Sequence, residues 1–174
     1  MKNIFRLIRP THWIKNFFVF MPLFFGGAIT DISMLTNAVI AFIAFSFIAS
    51  AIYCYNDIID VEDDRRPSVK RHRPIASGAV SVSAAYLIMI IMILISISTA
   101  MLAGSRWCSL VTVIAIYFLM EIAYCRILKL YAIVDVIILS AGFVLRILAG
   151  SVATGIIPSQ WLVLMTFLLT LLLA

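Results

Sequence analysis

The chain has 174 residues, of which 64% are hydrophobic and 12% charged, with a formal net charge of +5. A soluble globular domain is about half apolar and a quarter charged, so this composition holds more apolar surface than one soluble core can bury and excludes a water-soluble enzyme or binding module. The expectation is an all-α, multi-spanning transmembrane helix bundle forming one domain over residues 1–174. A helix crosses a bilayer with roughly 20 mostly apolar residues, and these runs lack the two-residue alternation of a membrane β-barrel.

In chain order, Met1–Arg9 places Ile4, Phe5 and Ile8 on one side and Lys2, Arg6 and Arg9 around the other, which suits a short helix lying on the membrane surface. The first predicted span is Trp13–Thr30. Its basic start followed by an apolar run is similar to a signal peptide. The run continues through Phe25-Gly26-Gly27-Ala28-Ile29 into a second apolar segment with no small-x-small cleavage site, so it reads as a retained helix, loosened at Pro22. Lys15 lies about a turn into this span, where a lysine either snorkels to the interface or contacts phosphate. With Trp13 and Asn16 beside it, phosphate contact is the preferred reading. The remaining predicted spans are Leu35–Tyr55, Ser83–Ala103, Trp107–Tyr124, Ala132–Thr154 and Gln160–Ala174. The last has no polar flank and reads as a span cut within a helix. Cys54, Cys108 and Cys125 show no metal or redox spacing and read as small packing residues.

Eleven basic residues fall in the N-terminal segment and in the loops after spans two and four, while the intervening loops hold only Arg106. The positive-inside rule puts the N-terminus and those loops in the cytoplasm. The net charge is thus a topology signal, with membrane lipids as the surroundings, and no nucleic-acid partner is expected.

The second span runs directly into Asn56-Asp57-Ile58-Ile59-Asp60-Val61-Glu62-Asp63-Asp64. If the helix persists, Asp57, Asp60 and Asp64 lie within an arc of roughly 60° and Glu62 points away. Three carboxylates on one face repel one another unless a cation sits among them, and their position near a helix C-terminus is also unfavourable to the dipole. Mg²⁺ prefers hard oxygen ligands and bridges to substrate phosphates, so this face, with Asn56 as a further ligand, is expected to hold a Mg²⁺-bound diphosphate. The following segment, Arg65 to Gly78, supplies phosphate ligands, of which Lys70 and Arg73 are the best placed, ahead of a segment fixed by Pro74. For Arg65 and Arg66 a topogenic and a phosphate role are not separated by the sequence, and His72 reads as a bystander.

Farther along, Glu121 reads as interfacial and Asp135 as a favourable charge at the start of the fifth span. Arg146 stands about 16 Å beyond Asp135 along a helix. Near mid-bilayer an ionised side chain is costly and functional by default. With no obvious partner in this chain, it is expected to pair with a group from later helices or to reach a lipid phosphate. Gly26, Gly27, Gly142, Gly150 and Gly155 are read as points of close helix contact or bending.

The pattern Asn56-Asp57-x-x-Asp60-x-x-x-Asp64, followed by Lys70-Arg71-x-Arg73-Pro74-Ile75, resembles the first signature of the UbiA prenyltransferase superfamily. Three further stretches resemble its decaprenyl-phosphate phosphoribosyltransferase branch: Arg9-Pro10-x-x-Trp13-x-Lys15-Asn16, Tyr124-x-x-x-x-Lys129 with Asp135-Val136, and Gly142-Phe143-x-x-Arg146-x-x-Ala149-Gly150.

The resemblance implies an intramembrane transferase that moves 5-phosphoribose from phosphoribosyl diphosphate onto a polyprenyl phosphate, with diphosphate released and Mg²⁺ as cofactor. It assigns catalysis to Asp57, Asp60 and Asp64, metal binding to these and Asn56, and phosphate binding to Lys15, Asn16, Lys70, Arg73, Tyr124, Lys129 and Arg146. It places the protein in a bacterial inner membrane with its active face cytoplasmic, serving cell-envelope pentose supply. The family's second aspartate-rich motif has no counterpart after Asp135, so the expectation is the N-terminal part of a UbiA-like bundle whose activity alone is in question. The alternatives are prenyl transfer from a polyprenyl diphosphate to an aromatic acceptor, a membrane transporter, and a non-functional remnant.

Overall fold

A computed structural model describes residues 2–66 and 70–173. Met1, Pro67, Ser68, Val69 and Ala174, assigned from sequence to the surface helix, the basic loop and the last span, lie outside the described residues. The described residues form helices and no strand. These are α1 (Lys2–Ile8), a 3₁₀ segment (Pro10–Phe20), α2 (Met21–Phe25), α3 (Ile32–Ile59), α4 (Val61–Asp64), α5 (Val82–Ala100), α6 (Trp107–Arg126), α7 (Ala132–Thr154) and α8 (Gln160–Leu173). Short 3₁₀ turns cover Lys70–His72, Gly104–Arg106 and Leu128–Leu130.

Four of the six expected spans are helices long and apolar enough to cross a bilayer, and α8 is a shorter apolar helix. The first span departs from expectation, because it is a 3₁₀ helix running into one turn of α-helix rather than a single α-helix. Pro22 has no N–H to offer the Phe18 carbonyl, which instead accepts from Met21, three residues on. A 3₁₀ helix rises about 2.0 Å per residue against 1.5 Å for an α-helix, so Pro10–Phe25 still extends roughly 30 Å, the thickness of a hydrocarbon core. Its three-residue period also puts Trp13, Asn16, Val19 and Pro22 on one stripe. That stripe faces the bundle: Asn16, Val19 and Pro22 are buried, and Trp13 Nε1 donates to Ser50 Oγ at 3.0 Å.

α3 is the central element. Asp31 caps it by accepting from the Met34 amide at 3.0 Å. Its Ala41, Ala44, Phe45 and Ile48 are buried among Leu110 and Ile114 of α6 and Ala149 and Ala153 of α7. Ser96 of α5 donates to the Ala44 carbonyl at 2.7 Å, which satisfies its hydroxyl within an apolar span. Leu87 and Leu94 of α5, Leu119 of α6 and Leu172 of α8 are exposed, as lipid-facing side chains would be. Cys54 and Cys125 are buried as expected, whereas Cys108 is exposed on α6 and is not a packing residue.

Two contacts position the site. Gly150 of α7 lies so close to the first span that a Cβ there would stand 1.8 Å from the Val19 carbonyl oxygen. At the other end, Leu7 of α1 packs with Cys54 and Ile58 of α3 and with Ile75 of the loop beyond α4. One apolar cluster thereby holds the N-terminal helix against that loop.

Candidate active site

The acidic signature continues α3 as expected, with a one-residue interruption. α3 ends at Ile59, Asp60 is the hinge, and α4 resumes at Val61. The helical register survives the break: the Asp60 amide donates to the Asn56 carbonyl at 3.0 Å and the Asp64 amide to the Asp60 carbonyl at 2.8 Å. Asp57 and Asp64 are buried, and Glu62 points away into an exposed 2.8 Å pair with Arg65.

Each of the three aspartates meets a basic side chain from elsewhere in the chain. Asp57 Oδ1 accepts from Arg9 Nη2 at 2.5 Å and lies 3.4 Å from Arg73 Nη1. Asp64 Oδ2 accepts from the same Arg73 nitrogen at 2.6 Å. Asp60 pairs with Lys129. Asp57 Oδ2 is buried and has no hydrogen-bond partner among the described residues. The repulsion expected between the carboxylates is thus offset by three cations drawn from α1's end, the loop beyond α4, and the turn after α6.

Two cavities meet here, sharing Arg9 and His12. The outer one, about 840 Å³, is lined by Arg6, Arg9, Lys70, His72 and Arg73, with Asp57 as its one acid. The inner one, about 290 Å³, lies between the first span, α3, α6 and α7 and is lined by Lys15, Asn56, Glu121, Tyr124 and Arg146 among others. Of the residues singled out in the sequence, Asp57, Lys70 and Arg73 face the outer cavity, and Lys15, Asn56, Tyr124 and Arg146 the inner. Tyr124 donates to Asp135 Oδ1 at 2.8 Å, so Asp135 orients a cavity residue as well as opening α7.

Arg146 does not lack a partner, contrary to the expectation. Its Nε donates to Asn16 Oδ1 at 2.8 Å, its Nη1 to the Gly142 carbonyl at 2.7 Å, and its Nη2 to the Tyr117 hydroxyl at 3.0 Å. The guanidinium also lies 5.1–5.2 Å from the ring centroids of Phe45, Tyr117 and Phe143, within cation–π range. Glu121, read as interfacial, is turned toward the same cluster: its Oε1 lies 3.5 Å from where a Gly142 Cβ would stand, with Arg146 Nη1 at 3.3 Å. Asn16 is 1% exposed and also donates to Ser46 Oγ at 3.0 Å, so both ends of its amide are engaged. It is not among the residues lining either cavity, and it stands behind Arg146, whose Nε it accepts from.

Residues 17–174 match the UbiA prenyltransferase family. The chain belongs to that family. The decaprenyl-phosphate phosphoribosyltransferase of Corynebacterium glutamicum is 40% identical over 164 residues, a match covering 93% of this chain and 49% of the relative. The enzyme of the same name from Mycobacterium tuberculosis is 36% identical over 166 residues, covering 93% of this chain and 54% of the relative. This UbiA-family chain therefore spans about half the length of the curated relatives it matches. A UbiA homolog from Archaeoglobus fulgidus, bound to GPP and Mg²⁺, superposes with a TM-score of 0.78 at 24% identity, covering 97% of this chain and 60% of that one. At that identity the likeness speaks for the fold.

Two residues at the centre of this UbiA-family site were not singled out in the sequence. Arg9 counts in the sequence among the topology-setting basic residues and opens the Arg9-Pro10 stretch of the family resemblance without a site role of its own, yet it joins the first aspartate and lines both cavities. Arg9 is the sole non-glycine residue with positive φ (47°) among those described, a conformation that the extended preference of a residue before proline does not announce. Tyr117 carried no signal, being one aromatic within an apolar span.

Proposed function

We propose that this chain carries the acidic half of a transferase site that moves 5-phosphoribose from phosphoribosyl diphosphate to a polyprenyl phosphate. The observation that carries the reading is the pairing of three aspartates with Arg9, Arg73 and Lys129, with Asp57, Arg9 and Arg73 lining a basic cavity. The names of the relatives from Corynebacterium and Mycobacterium support the choice of donor. The basic loops support a cytoplasmic location for this end of the bundle, in a bacterial inner membrane.

The donor set fits magnesium. Among the described residues no three His, Cys, Asp or Glu side chains converge as a protein-only metal cage. Mg²⁺ instead favours one or two carboxylates completed by water and substrate phosphate, and the unpartnered, buried Asp57 Oδ2 is such an oxygen. Of Asn56, Asp57, Asp60 and Asp64, Asp57 would bind it directly and the others would support it through water. When bound there, the ion would polarise the leaving diphosphate.

The chain's own residues then have distinct tasks. Arg9, Arg73 and Lys129, released from the aspartates, would neutralise the diphosphate as its C1–oxygen bond breaks. The sugar carbon passes through oxocarbenium-like character and gains a bond to the acceptor phosphate oxygen. That oxygen is already anionic, so no protein base is needed. Lys15 and Arg146 in the inner cavity would orient the acceptor phosphate, and the surrounding apolar helices would exclude water.

Equilibrium binding to the detergent-solubilised chain tests the donor assignment. Labelled phosphoribosyl diphosphate should bind at least about tenfold more tightly with Mg²⁺ than with EDTA, and unlabelled geranyl diphosphate should compete weakly. Tight Mg²⁺-dependent binding of geranyl diphosphate with no retention of phosphoribosyl diphosphate would instead assign prenyl transfer.

A further inference from the structure

We infer that Arg6 and Lys70, flanked by His72, form a second phosphate subsite that takes the monophosphate of a sugar-phosphate donor and so separates it from a prenyl diphosphate. This rests on the phosphoribosyl reading and extends it to Arg6, which has no site role from the sequence, and to the phosphate that Lys70 would hold.

The outer cavity is built from two chain segments brought face to face. Arg6, Arg9 and His12 come from α1 and the start of the first span, and Lys70, His72 and Arg73 from the loop beyond α4. Their opposition is fixed from beneath, since Leu7, 0% exposed, and Ile75, 2% exposed, share one apolar cluster with Cys54 and Ile58. The cavity's basic residues divide into two sets. Arg9 and Arg73 are engaged with Asp57 and Asp64 on the side of the acidic signature. Arg6 and Lys70 form no ion pair among the described residues and are exposed. Two uncompensated cations from different segments, facing one cavity beside an occupied ion-pair network, call for a second anion. At about 840 Å³ the cavity is of small-molecule size, larger than a diphosphate requires.

A donor with a phosphate at each end of a pentose supplies both anions: its diphosphate lies toward Asp57 and Arg73, its monophosphate between Arg6 and Lys70. A prenyl diphosphate has one anionic end and an apolar tail, which gains nothing from a second cation pair. Phosphate is also the anionic group of membrane lipids, and Phe5 beside Arg6 is 61% exposed, so a lipid headgroup is the other source of the same chemistry.

The test compares the wild-type chain with Arg6→Gln/Lys70→Gln, using Arg71→Gln as a neighbouring-charge control. The probes are phosphoribosyl diphosphate, ribose 5-phosphate, inorganic diphosphate and geranyl diphosphate, all with Mg²⁺. All three altered residues are exposed, so the unfolding temperature should not change. In the double variant, affinity for phosphoribosyl diphosphate should fall roughly tenfold or more, the scale of a lost charge-assisted contact. Ribose 5-phosphate binding should vanish, and the other two probes should hold within about twofold. An equal fall for all four probes, or an unchanged affinity for phosphoribosyl diphosphate, would overturn the subsite. Loss of binding to phosphatidylglycerol vesicles with donor affinity intact would overturn it in favour of a headgroup site. If the wild-type chain retains geranyl diphosphate and never phosphoribosyl diphosphate, the phosphoribosyl reading itself falls, whatever the variants do.

Discussion

Arg146→Leu should cost roughly 2–6 kcal/mol of stability, about 1–3 kcal/mol for each of the two buried side-chain acceptors it leaves unmet, read as a lower unfolding temperature in detergent. Arg146 is 6% exposed and supplies three donors to acceptors on three elements: Asn16 of the first span, Tyr117 of α6 and the Gly142 carbonyl of its own helix. Leucine would fill part of the volume while leaving Asn16 Oδ1 and the Tyr117 hydroxyl without their donor, and unmet polar groups are costly in apolar surroundings. Arg146→Lys should recover only part of the loss, because an ammonium on a flexible stem does not present the planar fork that reaches three separated acceptors. Equal unfolding temperatures for the wild-type, lysine and leucine forms would show that the cluster does not hold the bundle together.

Gly150→Ala is expected to be nearly as damaging, through a different route. The added methyl carbon would stand 1.8 Å from the Val19 carbonyl oxygen and 2.8 Å from its carbonyl carbon. Both are backbone atoms, so no side chain can rotate away and α7 has to move off the first span. Overpacking of this kind costs about 1–3 kcal/mol or more. The displacement also reaches the inner cavity, because Lys15 and Asn16 ride on the segment that is pushed. Gly142→Ala is the informative comparison: its nearest neighbour is the end of the Arg146 side chain at 3.3 Å, which a small shift relieves. A scan by thermal unfolding and limited proteolysis should rank Gly150→Ala well below Gly142→Ala. The reverse order would contradict the close approach of α7 to the first span.

What the sequence revealed and what it concealed follow from the same physics. Lipid as solvent makes whole spans apolar, so length alone located α3, α5, α6 and α7. The polar residues left in such a chain are conspicuous, and Asp57, Asp60 and Asp64 could be placed on one face from helical spacing. A wholly apolar run carries no periodicity, however, so 3.0 and 3.6 residues per turn look alike in Trp13–Thr30. The polar stripe of Trp13 and Asn16, matched to Ser50 and Ser46 on α3, is the one sign of the tighter helix. Arg146 has no visible partner in the sequence because Asn16 and Tyr117 lie 130 and 29 residues away, and each is an ordinary residue within a span. The pairing of Lys129 with Asp60, 69 residues apart, was hidden in the same way. The sequence assigns Lys129 to phosphate and Asp60 to metal, but nothing local indicates that they meet.

The central claim is that the acidic signature at the end of α3 serves phosphoribosyl transfer. The most direct measurement is passage of label from phosphoribosyl diphosphate into organic-extractable lipid. It should be made in membranes carrying this chain, and in membranes carrying it extended to the length of its curated relatives, with and without Mg²⁺. Labelled lipid that requires Mg²⁺ and disappears in Asp60→Asn is the predicted result. A well-folded extended protein that makes no labelled lipid, or one in which Asp60→Asn labels lipid as well as the wild type, would contradict it.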